Sequence, residues 1–156
     1  MSINKLNEQP SLASRRKTPW HLFLVVFFFV LIYLVGLYDY VSIHINNLNY
    51  INSIPAKGNV AEYFSNYPGF FSFLWTIHVF GGLIAGALLL FRNKRAVWIS
   101  LAVVISKLSL DLLTFLFRNR WEVFGPQISI TDITFSLITV GFFFYCKVMA
   151  KKGILI

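Results

Sequence analysis

The chain has 156 residues, 57% of them hydrophobic and 13% charged, with a formal net charge of +8 and a mean hydropathy of +0.68. A soluble domain carries roughly 25% charged residues, so this composition excludes an ordinary soluble globule and points to an integral membrane protein. The single cysteine, Cys146, excludes an intrachain disulfide.

Residues 1–18 are polar and basic and read as a disordered cytoplasmic tail. A domain of four transmembrane helices is expected over 19–147. The first helix is placed at 20–41, where "WHLFLVVFFFVLIYLVGLY" is free of charge. That run is too long for a signal-peptide core, and no small-residue cleavage pattern follows it, so it reads as a retained anchor. The loop Asp39–Pro68 comes next. Asn59, Glu62 and Pro68 in "NVAEYFSNYPG" predict one short helix with an Asn cap. Its Val60, Tyr63, Phe64 and Tyr67 face is expected to rest on the membrane interface. The second, third and fourth helices are placed at 69–91, 95–117 and 128–147, with 148–156 as a basic cytoplasmic tail. At about 1.5 Å per residue each span is long enough for a ~30 Å hydrocarbon core. The expected fold is an all-α integral membrane four-helix bundle, up-down-up-down, with a short interfacial helix in the outer loop.

The basic residues are unevenly placed. Lys5, Arg15, Arg16, Lys17, Arg92, Lys94, Arg95, Lys147, Lys151 and Lys152 fall on one side, against Lys57, Arg118 and Arg120 on the other. Basic residues concentrate on the cytoplasmic side of membrane proteins, so both termini are expected there, in a cytoplasmic membrane. The net charge is then a matter of topology and lipid attraction. Membrane lipid is the expected partner, and nucleic acid is not.

Within the third span, "VVISKLSLDLLTF" carries Lys107 and Asp111 four residues apart, on one helix face. Each charge alone would cost about 2.5–3.5 kcal/mol at mid-membrane; paired, they cost less. Ser100, Val104, Lys107, Asp111, Thr114 and Arg118 trace one stripe. By depth, Trp75, Asp132 and Asp39 fall in the outer half and His78 near the middle, whereas the inner halves are almost purely apolar. These positions predict a polar cavity opening outward, lined by Asp39, Trp75, His78, Lys107, Asp111 and Asp132. The architectural alternative is that the Lys107–Asp111 pair only fixes helix register.

His78 has no second histidine at its depth, since His21 and His44 lie at opposite edges. Neither a bis-histidine haem nor a histidine metal spacing is present, so no cofactor is expected. The glycines Gly81, Gly82 and Gly86, with Ala85, form a small-residue face that lets helices approach closely, within the chain or between copies. No nucleophile elbow, P-loop or zinc-protease motif occurs, and the chain does not read as an enzyme.

Three stretches carry a resemblance: "VGLYDY", "AEYFSNYPGFFSFLWTIHVFGGLIAGALLLFRNKRAV" and "FYCKVMAKKGILI". Together they resemble a group of small bacterial four-helix membrane proteins often labelled sugar transporters. The resemblance covers most of residues 33–153 and is carried by Gly36, Asp39, Tyr40, Pro68, Trp75, Gly81, Gly82, Gly86, Arg92, Tyr145 and Gly153. His78 departs from it, standing where a small residue is usual. The resemblance implies a bacterial inner-membrane protein. Two function classes follow: a transporter or solute-binding protein, which as a transporter of this size implies a homo-oligomer, and a non-transporting accessory protein whose buried charges are architectural.

Overall fold

The computed structural model describes residues 18–156; the N-terminal tail and its basic cluster lie outside the described residues. The described chain is all-α. Four long helices, α1 (Trp20–His44), α4 (Gly69–Leu90), α5 (Arg95–Phe117) and α6 (Arg120–Lys151), are each long and apolar enough to cross a membrane. Two short helices, α2 (Leu48–Ser53) and α3 (Val60–Ser65), occupy the loop between α1 and α4. The protein is a four-helix membrane protein of up-down-up-down topology.

The elements stop where local chemistry stops them. Asn46, Arg92 and Gly153 take positive φ just beyond α1, α4 and α6. Each closes its helix with a backbone bond reaching back over a full turn: Asn47 N to Ser42 O at 2.9 Å, Asn93 N to Leu88 O at 2.8 Å, and Ile154 N to Met149 O at 3.1 Å. In the loop, Asn47 and Asn59 cap α2 and α3 by accepting from Tyr50 N at 3.2 Å and Glu62 N at 3.1 Å.

Several boundaries differ from the sequence expectation. α1 continues to His44, past residue 41. α6 begins at Arg120, ahead of residue 128, but Gly125 is non-helical (φ 75°, ψ 175°), so a short helical segment ending at Phe124 precedes a long one that starts at Pro126, close to the expected position. The loop holds two short helices where one was expected. The Val60–Tyr63–Phe64–Tyr67 face turns into the protein instead of resting on a membrane interface. Val60 and Tyr63 are buried, Tyr63 packs on Phe124 at 5.0 Å between ring centroids, and Phe64 lies on Trp75 at 5.9 Å. Rings that find aromatic partners inside have no reason to face the interface. A backbone clamp holds the loop, with Lys57 N and Gly58 N both donating to Val123 O, at 2.9 and 2.8 Å.

The C-terminal stretch is also more than a basic tail. α6 runs to Lys151, and Ile154 and Leu155 tuck under the bundle, both buried. Lys94 N donates to Ile156 O at 3.0 Å, Ile156 N to Arg92 O at 2.5 Å and the Arg92 Nε–H to Ile154 O at 2.8 Å. At this basic end Leu22, Val26, Phe29, Leu89, Val103, Phe142, Cys146 and Met149 fill an apolar core.

α1 packs on α4, α4 on α5 and α5 on α6. The small-residue face sets the spacing. A Cβ on Gly82 would fall 2.1 Å from the Tyr33 ring, one on Gly81 2.7 Å from Val103 and one on Gly86 3.2 Å from Val30; Ala85 is fully buried. These residues therefore serve packing within the chain, seating α1 and α5 against α4. The outward apolar side chains of α1, among them Phe23, Phe27, Leu31 and Leu34, are exposed on the face available to lipid.

Candidate functional site: a polar cavity in the loop-end half

Asp39, Trp75, His78, Lys107, Asp111 and Asp132, drawn from all four long helices, line one cavity of about 350 Å³. Helix spacing delivers them. On α1, Ile32, Gly36 and Asp39 recur on one face; on α6, Ile128, Asp132, Phe135 and Thr139 form a stripe at steps of three and four, and Arg120 and Phe124 reach the cavity from the segment before the Gly125 kink. The α5 stripe of Ser100, Val104, Lys107 and Thr114 is buried, with Asp111 and Arg118 partly so.

The charges are met internally. Lys107 Nζ donates to Asp111 Oδ1 at 2.6 Å, and the lysine is only 7% exposed. The Ser136 hydroxyl of α6 donates to Asp111 Oδ2, so the carboxylate joins α5 to α6 as well as neutralising its neighbour. Arg120 Nε donates to Asp132 Oδ2 at 2.7 Å, with the guanidinium over the Phe124 ring at 4.6 Å. Asp39 differs: its partner is the phenol of Tyr50, which donates to Oδ1 at 2.8 Å. Burial, together with the adjacent Asp39 carboxylate, pushes the Tyr50 phenol above its usual pKa.

His78 stands at the deeper end. Its ring meets Tyr33 edge-on at 5.4 Å, and its Nδ1 is buried without a hydrogen-bond partner. Tyr33 in turn lies 3.5 Å from the Thr139 hydroxyl. The other two histidines are elsewhere. His21 Nδ1 is 2.7 Å from the Tyr145 hydroxyl at the basic end, and His44 stacks on Tyr40 at 4.0 Å between centroids at the loop end. Among the described residues no group of three or more His, Cys, Asp or Glu side chains could hold a metal ion.

The expected outward opening is modified. Tyr50, Ile54, Pro55, Phe64 and Tyr67 of the loop also line the cavity, so the folded loop lies over it. On the opposite side, Tyr33, Phe29 and Phe142 close it off from the basic end, with the two phenylalanine rings 4.1 Å apart.

Sequence reasoning did not single out Arg120, Tyr50 or Tyr67. Arg120 was counted only among the basic residues of the less basic side, ahead of the span placed at 128–147. A usable signal was Asp132, an acid inside an apolar span that needs a cation, with Arg118 and Arg120 the nearest in sequence. Arg118 instead binds the loop, donating to Tyr63 O and lying over the Tyr63 and Tyr67 rings at 4.9 and 5.8 Å. Tyr50 was signalled only by Asn47 as a cap three residues before it. In comparisons with family models, curated proteins and solved structures, none matches this chain.

Proposed function

We propose that this protein is a solute-binding protein of a bacterial cytoplasmic membrane, with the basic end cytoplasmic and the cavity in the outer half. The observation that carries the reading is the convergence of polar residues from four helices on one cavity, beside a half that is apolar. Packing alone gives no reason to place a histidine, three carboxylates and two cations around empty space. The unequal distribution of Lys and Arg supports the orientation. The resemblance to small four-helix membrane proteins labelled sugar transporters agrees with a site for a small polar molecule. Translocation asks for more: the tightly packed basic-end half would have to open, and four helices enclose such a pathway only as part of a homo-oligomer.

The test is a thermal-unfolding screen of purified protein against sugars, amino acids and amines, with Lys107→Ala and Asp111→Asn alongside. A solute that raises the wild-type midpoint and not the variants' supports binding; no selective shift removes it. A strict monomer in mild detergent would remove transport and leave binding.

One observation favours the accessory reading, in which the charges are architectural. Both ion pairs are self-contained, and Asp111 doubles as a tie between α5 and α6. Under that reading a Lys107→Leu/Asp111→Leu protein folds with wild-type stability and nothing stabilises the parent.

A further inference from the structure

We propose that the ligand is a membrane amphiphile with an ammonium-bearing head, entering the cavity sideways between α1 and α6 while its chain stays in lipid. This rests on the cavity being a binding site and names its ligand class.

The seam between α1 and α6 is shut at the basic end. His21 meets Tyr145, Phe29 meets Phe142, and Tyr33 meets Thr139. Beyond Tyr33 the same seam is occupied by the cavity, with Ile32, Val35 and Gly36 on one side and Ile128 and Phe135 on the other. Val35 lines the cavity yet is 66% exposed, so the cavity wall runs out onto the lipid-facing surface. The folded loop covers the aqueous side. A solute from water must displace Tyr50, Ile54 and Pro55; a molecule already in the bilayer need not.

Gly36 marks the doorway. A glycine inside a helix costs about 1 kcal/mol relative to alanine, and the glycines of α4 offset that by seating Tyr33 and Val30. Gly36 seats nothing: a Cβ there meets no atom within 4 Å, as at Gly69 and Gly141, but of these three only Gly36 lines the cavity. The space beside it opens on the cavity.

Charge selects the head. Each of the two ion pairs in the cavity is neutral in itself. Asp39 is left facing a neutral phenol, and among the described residues it makes no ion pair. An ammonium placed there gains that carboxylate in a cavity lined also by Tyr50, Tyr67 and Trp75, and aromatic rings suit a cation. A cavity of about 350 Å³ accommodates a head and the first carbons of a chain. The rest of the chain keeps the ligand concentrated in the membrane.

The experiment uses full-length protein in phosphatidylcholine nanodiscs, with thermal unfolding as the readout. The probes are dodecylamine, dodecanol and ethylamine. Dodecylamine should raise the midpoint by several degrees; dodecanol should not, and ethylamine should need at least 100-fold more. Gly36→Phe should abolish the dodecylamine shift and keep the ethylamine one, while Gly36→Ala, which fits the empty space, should keep both. Asp39→Asn should erase the preference for amine over alcohol. The probe-free midpoints report whether each variant folds. If ethylamine acts as well as dodecylamine, or if a folded Gly36→Phe protein still responds to dodecylamine, sideways entry is wrong although binding stands. Equal shifts from alcohol and amine overturn the ammonium assignment. No shift from any probe overturns the whole proposal, and the soluble-solute screen then decides separately whether the cavity binds anything.

Discussion

The two halves of this bundle are built from the same four helices by opposite rules. At the basic end, large apolar side chains interlock, the α4 glycines are filled by neighbours, and Ile154 and Leu155, beyond α6, are buried against the bundle. At the loop end, the helices carry charge inward, a glycine is left unfilled, and space remains between α1 and α6. The contrast is informative because lipid supplies no hydrophobic drive for helix association; packing and polar contacts must do it. The sealed half uses packing. The open half uses hydrogen bonds and ion pairs: Ser106 Oγ to Leu74 O at 2.5 Å, Tyr40 to Thr76 at 2.8 Å, and Ser136 to Asp111. A half held by polar side chains can tolerate an internal space that a close-packed one cannot.

The largest expected effect lies in the open half. Asp111→Ala leaves the Lys107 ammonium uncompensated and cuts the tie to Ser136, so equilibrium unfolding in detergent should show a loss of about 3–5 kcal/mol. Lys107→Leu/Asp111→Leu should recover most of it. A double variant as unstable as Asp111→Ala would mean that the Ser136 tie, not charge balance, holds this half together.

Tyr50→Phe comes next. It removes the one hydrogen bond donated to Asp39 and should cost about 1.5–3 kcal/mol, the range for a bond to a charged group. The pH dependence distinguishes this bond from simple packing. Because the folded-state phenol is raised, its stabilisation is complete below the ordinary tyrosine value of about 10. It declines as pH climbs above that, because the unfolded chain then releases the proton first. Unfolding midpoints measured from pH 8 upward should fall more steeply for wild type than for the phenylalanine variant, and parallel curves would contradict the assignment.

The glycines sharpen the comparison through a difference in sign. Gly82→Ala forces a methyl into the Tyr33 ring and should destabilise by about 1–3 kcal/mol through overpacking. Gly36→Ala meets nothing and should stabilise by about 0.4–1 kcal/mol, through helix propensity and a less flexible unfolded chain. A loss at Gly36 as large as that at Gly82 would show that the seam is closed in the membrane.

The number and rough bounds of the spans, the lopsided basic residues and the inward stripe of α5 were legible because each is periodic or local. Apolar length reports a membrane span, and steps of three and four report a helix face. That Asp39, His78, Lys107, Asp111 and Asp132 share one half followed from counting along antiparallel helices. What meets what was decided only by the tertiary structure. The Arg120–Asp132 pair depends on a kink at Gly125 that joins a short helical segment to the long one. The inward turn of α3 depends on Phe124 and Trp75 arriving from distant elements. The open seam beside Gly36 depends on how α1 and α6 diverge beyond Tyr33 and Thr139. No local pattern encodes these, because each arises where side chains from separate helices compete for one volume.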